Sequence, residues 1–265
     1  MTQPVAQSQR TPASQPGRGA LIVGASSGIG AAMARELARR GYTLALVSRR
    51  EELLAALRDD INRTAGRECA HTYVHDVRDY DAAPDLLRRI VSDLGAHPLQ
   101  IVVYTAGIMF ERATSDWPFE EERAMLEINT IGAMRWLGLA ADILKARGQG
   151  ALVGVSSVAG ERGRRGNSAY QASKAALTTW LDSLRYRLKG SGVRVVIVKP
   201  GYVATEMTSG KKLPRQAVIS ADEAARQIVS VAEHGSGVVY VPGYWRPIMW
   251  MVRHLPAFLM ARLPE

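Results

Sequence analysis

Apolar residues in this chain arrive in short unbroken runs separated by longer stretches of helical period. The runs at 20–24 (ALIVG), 43–47 (TLALV), 70–75 (AHTYVH), 100–105 (QIVVYT), 151–155 (ALVGV), 194–198 (RVVIV) and 238–241 (VVYV) read as strands. Most are apolar at consecutive positions, the pattern of strands covered on both faces. Helical stretches fill the gaps at about 28–40, 51–65, 80–95, 120–147, 168–189 and 222–234. Regular alternation of the two predicts an α/β fold built from βαβ units, a doubly wound sheet of about seven parallel strands with helices on both faces.

Composition refines this picture. An apolar fraction of 47% is enough for one core, and neither an internal break nor a repeat divides the pattern. Residues 1–18, rich in Gln, Ser and Pro and without the apolar centre of a signal peptide, are expected to form a disordered tail. A single domain is expected over 19–244, with 245–265 as an apolar C-terminal extension. The lone Cys69 excludes an intramolecular disulfide framework and fits a reducing, cytoplasmic setting. No apolar run reaches the roughly 18 residues of a membrane span. The net charge of +9 raises the question of nucleic acid, but the arginines are scattered and lack interleaved aromatics, so no nucleic-acid partner is expected. Nor is a metal site expected.

The first strand runs into Gly24-Ala25-Ser26-Ser27-Gly28-Ile29-Gly30 and then an apolar-striped helix. Glycines at a strand-to-helix turn let a diphosphate approach the helix N-terminus, where amide N–H groups and the dipole favour anions. The spacing is G-x-x-x-G-x-G rather than G-x-G-x-x-G, but the context is that of a Rossmann-type dinucleotide site. At the end of the second strand, where an acidic residue would take the ribose hydroxyls of NAD, stand Ser48 and Arg49. A hydroxyl and a guanidinium suit a 2′-phosphate, so NADP(H) is preferred and NAD(H) is the alternative.

Farther on, Tyr170 and Lys174 stand four residues apart in SAYQASKAAL, which puts them on one face of a helix. An ammonium beside a phenol favours the phenolate and is expected to lower a pKa that otherwise lies near ~10, as a general acid at neutral pH requires. Ser157, in VGVSSVAG, precedes Tyr170 by thirteen residues.

Together these residues resemble the short-chain dehydrogenase/reductase family over about 19–243. Gly24, Gly28 and Gly30 match its cofactor loop, Asp76-Val77 its adenine-contacting pair, and Thr105-Ala106-Gly107 the place of its Asn-Ala-Gly. Asn129, Ser157, Tyr170 and Lys174 match its catalytic four, and Pro200-Gly201-Tyr202-Val203-Ala204-Thr205 its nicotinamide-side loop. Val23 and Thr105 depart from the usual Thr and Asn. The resemblance implies an oxidoreductase interconverting a carbonyl and an alcohol. In it Tyr170 exchanges the proton, Lys174 lowers its pKa and holds the ribose, Ser157 polarises the substrate oxygen, and Asn129 interrupts a helix and carries the relay onward. Cofactor contacts are implied for Gly24, Ser26, Ser27, Gly28, Ile29, Gly30, Ser48, Arg49, Asp76, Val77, Ala106, Gly107, Tyr170, Lys174, Pro200, Gly201, Val203 and Thr205. A homo-dimer or homo-tetramer is implied as well. An intact catalytic four argues against a silent dinucleotide-binding regulator.

Substrate choice in such proteins falls to the segment after Pro200-Gly201 and to the C-terminus. Here the former, about 206–220, reads as a lid carrying Lys211, Lys212 and Arg215. The C-terminal YWRPIMWMVRHLPAFLMARLP is apolar with interspersed arginines, and Pro256 breaks any helix within it. Three readings stand open: an amphipathic anchor touching the inner face of a membrane, a subunit contact, or a wall over the substrate pocket. The segments Ala159-Gly160-Glu161-Arg162-Gly163-Arg164-Arg165 and Arg253-His254-Leu255-Pro256 resemble bacterial decaprenylphosphoryl-2-ketoribose 2-reductases. That resemblance implies a lipid-linked keto-sugar rather than a small free carbonyl as substrate.

Overall fold

Nine strands form among the described residues: β1 (Arg18–Val23), β2 (Tyr42–Ser48), β3 (Ala70–Val74), β4 (Leu99–Tyr104), β5 (Gly150–Val155), β6 (Val193–Pro200), β7 (Tyr202–Ala204), β8 (Val218–Ser220) and β9 (Gly237–Val241). The computed structural model describes residues 17–110, 118–210, 214–260 and 262. Seven strands make one sheet in the order β3-β2-β1-β4-β5-β6-β9, every neighbouring pair parallel. Consecutive apolar residues serve opposite faces of it. In β1, Ala20 and Ile22 join one core cluster, while Leu21 and Val23 join the other.

The first cluster is closed by helices α1 (Gly28–Arg39), α2 (Glu51–Ala65) and α7 (Ala221–His234). The second is closed by α3 (Ala83–Leu94), α5 (Gly132–Arg147) and α6 (Ser168–Arg187). Strand order reverses between β1 and β4, which opens a crevice beyond their C-terminal ends. Thr105 ties that junction together: its amide donates to the Val23 carbonyl at 2.8 Å, and its hydroxyl lies 3.0 Å from the Val23 and Gly24 carbonyls. A threonine therefore makes the sheet-tying bonds at the place where the family carries Asn.

The long helix expected over 120–147 is in fact three segments: α4 (Phe119–Leu126), a π-helical turn Glu127–Ile131, and α5. The wider turn has a cause in its hydrogen bonds. The fully buried Tyr104 donates to the Ile128 carbonyl at 2.5 Å, and the Asn129 side chain turns inward to bond Ile108. Strands β7 and β8 were not expected; they pair parallel as a separate small sheet, each too short to leave a period in the sequence. The C-terminal segment forms α8 (Trp245–His254) and, beyond Pro256, α9 (Ala257–Met260). No helix among the described residues is long and apolar enough to cross a membrane.

The Tyr104 hydroxyl is thus the buried bond that braces the π turn under Asn129. Tyr104→Phe is expected to lower the unfolding free energy by about 1–3 kcal/mol, the cost of a buried carbonyl left without its donor. Urea titration reads the loss, and an unchanged midpoint would show that the turn is held by its other contacts.

Candidate active site

One cavity of about 1300 Å³ runs along the C-terminal ends of the strands. At one end lies the glycine turn, in the middle the start of α6, and at the other end α8 and α9. All the implied cofactor residues line it except Asp76, whose neighbours His75 and Val77 do. The Asp76 carboxylate is taken up by Arg78 at 2.7 Å, which with other bonds lowers its pKa to about 2, and stands 3.6 Å from Arg49.

At the turn, Gly24 has φ +92, a conformation L side chains avoid, and a Cβ there would fall 2.3 Å from the Ala106 amide nitrogen. A Cβ on Gly30 would meet the Gly24 carbonyl oxygen at 2.2 Å. The backbone is thereby close-packed at Gly24 and Gly30, where no Cβ fits. Ser27, at the N-cap of α1, makes no capping bond with its side chain, and the first turn holds no acidic residue. Its amides and dipole face the cavity free for an anion.

Beside the cradle stand the hydroxyls of Ser26, Ser27 and Ser48. Ser48 donates to Ser26 at 2.8 Å, and the Arg50 guanidinium reaches Ser26 at 3.0 Å, Ser27, and the Glu206 carboxylate at 2.8 Å. Arg50 is the residue that sequence reasoning missed. The sequence reading singled out its neighbour Arg49, and only the entry of the chain into α2 decides which guanidinium folds back over the serines. Glu206 was likewise unforeseen, because its partner lies 156 positions away. The residues fit a dinucleotide carrying a 2′-phosphate: cradle, free amides, three hydroxyls and two guanidinia, with no carboxylate in β2 itself and the Glu206 carboxylate held on Arg50.

In the middle of the cavity, Tyr170 and Lys174 come from one face of α6 and Ser157 from the turn after β5. Ser157 accepts the Ala159 amide at 3.0 Å, which caps the short helical turn Val158–Glu161. Lys174 is 4% exposed and donates to the Val155 carbonyl at 3.0 Å, with Nζ 5.7 Å from the Tyr170 ring centroid. Asn129 does not line the cavity. Its carboxamide accepts from the Ile108 amide at 2.8 Å and donates to Ser173 at 3.0 Å. It shares the surroundings of Gly107 with Lys174: a Cβ there would be 3.2 Å from Asn129 Oδ1 and 3.4 Å from Lys174 Nζ. Ser156 and Ser173 complete the arrangement, Ser156 donating to the Lys174 carbonyl at 2.9 Å and Ser173 to the Tyr170 carbonyl at 2.7 Å. Neither serine stands out in the sequence, because each acts on a backbone atom that the tertiary fold brings near.

The expected lowering of the Tyr170 pKa by Lys174 is corrected here. Burial pushes the Tyr170 phenol above its usual value and a hydrogen bond from Ser157 pulls it back in part. Burial also lowers Lys174 to about 8. Desolvation disfavours the charged form of each group.

At the far end, Met109, Phe110, Met207, Trp245, Met249 and Met260 make an apolar wall. Trp245 and Met249 are buried against Val158 and Tyr240, so α8 is docked on the body of the protein. Trp250, Met251 and Phe258 point outward, each more than half exposed. Of the expected lid cations, Lys211 and Lys212 lie outside the described residues, as does the side chain of Arg215.

The chain is similar in sequence and in fold to known proteins. The model of the short chain dehydrogenase family matches residues 18–216. An "uncharacterized oxidoreductase" of Myxococcus xanthus is 36% identical over 225 residues, 85% of this chain and 87% of that protein. A ketoacyl reductase of a Nostoc species is 32% identical over 216 residues, covering 80% of this chain and 74% of that one. Among solved structures, an alcohol dehydrogenase of Thermococcus sibiricus complexed with 5-hydroxy-NADP superposes with TM-score 0.75 at 26% identity, over 84% of this chain and 95% of that one. An actinorhodin polyketide ketoreductase with NADPH does so with TM-score 0.76 at 26% identity, over 86% and 97%. The chain belongs to the short-chain dehydrogenase family and is an NAD(P)-dependent oxidoreductase of it.

The shift at Lys174 has a sign that can be checked. Its folded pKa of about 8 lies below the unfolded value, so between pH 8 and roughly 10.4 the unfolded chain holds a proton that the native state has released. The burial penalty is complete below pH 8 and is relieved as pH rises through that window, while the raised Tyr170 gives an opposite slope only above its usual value. Unfolding free energies at pH 8 and 10 should show Lys174→Met removing a rise of about 1.4 kcal/mol per unit. An identical slope in the variant would contradict a neutralised buried lysine.

Proposed function

We propose that this chain is an NADP(H)-dependent carbonyl reductase, with alcohol oxidation as the reverse direction, acting on an apolar or lipid-linked substrate such as a keto-sugar. The observation that carries the reading is a continuous cavity with Ser157, Tyr170 and Lys174 between an anion cradle and an apolar wall. Bound there, the nicotinamide supplies the hydride and, once oxidised, a positive charge. The residues do the rest. Burial keeps the Tyr170 phenol protonated at neutral pH, so its resting form is a proton donor to a carbonyl oxygen. Ser157 donates a hydrogen bond to the same oxygen and steadies the charge that develops on it. Lys174 stands behind Tyr170 to restore the proton, and Asn129, sharing the space around Gly107 with Lys174, leads the relay toward the π turn.

NADP(H) over NAD(H) is supported by Arg49, Arg50 and the three serines, and by the NADP-type ligands of the two similar structures. The apolar substrate is supported by Met109, Phe110, Met207, Trp245, Met249 and Met260.

Tyr170→Phe is expected to cut turnover by at least about 10²-fold, the usual worth of a positioned general acid, with NADPH affinity preserved. Retained activity would refute the assignment. Arg50→Gln, alone and with Arg49→Asp, should reduce the preference for NADPH over NADH by about tenfold to hundredfold, as expected for lost charge-assisted bonds. An unchanged ratio of kcat/KM values would defeat the 2′-phosphate argument. The substrate is best sought by NADPH oxidation against trans-1-decalone, a steroid ketone, an acetoacetyl thioester, a free keto-sugar and its polyprenyl-phosphate form. Fastest turnover of the free sugar would exclude the lipid-linked reading.

A further inference from the structure

Two adjacent residues, Glu161 and Arg162, join the segment after β5 to the end of α8, and neither has a part in the proton chemistry. Glu161 closes the short turn that Ser157 begins, and its side chain is 3% exposed. A buried carboxylate needs partners for its charge, and it has two cations and a neutral hydroxyl from three separate elements. Lys199 at the end of β6 reaches it at 2.7 Å, the Tyr240 hydroxyl of β9 at 2.5 Å, and Arg253 of α8 at 3.2 Å. Arg162 turns the other way, onto α8. Its guanidinium donates to the carbonyls of Val252 at 3.0 Å, Arg253 at 3.1 Å and Leu255. These lie in the last turn of the helix and at its cap, where carbonyls lack intrahelical donors and the dipole favours a cation.

Both residues therefore pull α8 onto the turn that carries Ser157. The consequence reaches the cofactor loop. Lys199 directly precedes Pro200-Gly201, and α8 lays Trp245 over Gly201, where a Cβ would fall 1.8 Å from the indole nitrogen. Tyr202 packs edge-on against the same indole at 5.3 Å between ring centroids. Stability alone does not require such a hub, since buried ionic groups can often be replaced by apolar ones without loss.

We propose that Glu161 and Arg162 are positioning residues, a latch that fixes α8 as the cavity wall and through it sets Ser157 and the Pro200-Gly201 loop in mutual register. This rests on the carbonyl-reductase reading for its kinetic consequence but not for its structural one. The latch makes α8 part of the catalytic frame, and a change in its seating alters substrate geometry without touching Tyr170 or Lys174.

The test uses the full chain with Arg162→Gln, Arg162→Lys and Glu161→Gln, followed by amide hydrogen exchange and NADPH oxidation with trans-1-decalone. Arg162→Gln removes only bonds to α8 and leaves the buried ion pairs intact, so it stays informative if Glu161→Gln fails to fold. In Arg162→Gln, exchange is expected to rise about tenfold or more across α8 and at the Gly201 amide, the equivalent of one charge-assisted hydrogen bond. The Gly201 amide, bonded to the Val241 carbonyl at 2.9 Å, is a protected reporter. The KM for the ketone should rise about tenfold, as a misplaced wall implies, with recovery in Arg162→Lys. Faster exchange in α8 with Gly201 unchanged would reduce Arg162 to a helix cap and overturn the proposal. So would unchanged exchange in both places. If the wild-type protein reduces no ketone, the carbonyl-reductase reading falls while the exchange measurement still decides the latch.

Discussion

Everything at the centre of this molecule follows from burying the polar row of α6. Tyr170, Ser173 and Lys174 face inward, and each polar atom there needs a partner that water does not supply. The partners come from the end of β5, where the Val155 carbonyl takes the Lys174 ammonium and Ser156 takes the Lys174 carbonyl, and from the π turn, where Asn129 takes Ser173. Thr130 adds a bond to the Ser173 carbonyl at 2.9 Å. Satisfying this row fixes the helix against the sheet, the turn against the helix, and Ser157 against Tyr170. The geometry of the Ser157, Tyr170 and Lys174 cluster is the by-product of a hydrogen-bond requirement.

The same burial sets the electrostatics. Tyr170 is pushed toward its neutral form, and so is Lys174, so the pair is not an ion pair held in reserve. Such a site is poised by desolvation: whichever charge enters the cavity finds groups whose ionisation it can shift strongly in a medium of low dielectric. A simple reading of the spacing, in which the lysine alone acidifies the tyrosine, misses this, because spacing carries no information about the depth at which the helix face is buried.

The two ends of the cavity are built differently. The cradle is made of backbone, and its shape depends on the absence of side chains at Gly24 and Gly30. The far wall is made of side chains on α8 and α9, elements joined to the sheet only after the chain has passed its last strand. Between them, Arg50 and Glu206 bridge the α2 end to the segment after β7 across the mouth of the cofactor end.

The amino-acid order by itself determined the sheet, because unbroken apolar runs of strand length have nowhere to go but between two helical layers, and it marked the cradle, Ser157, Tyr170 and Lys174 through local spacing. Its periodicity did not mark the π turn, since Asn129 sits in an otherwise regular helical period; only the family resemblance implied an interruption there, and the contact with Ile108 accompanies it. Nor did it reveal Arg50, Glu206 or the Glu161 hub, whose partners lie far along the chain and meet only once the sheet has aligned the strand ends. Periodicity and motif are local properties, legible in one dimension. Burial, hydrogen-bond partnership and the sign of a pKa shift depend on which segments become neighbours, and only the tertiary structure decides that.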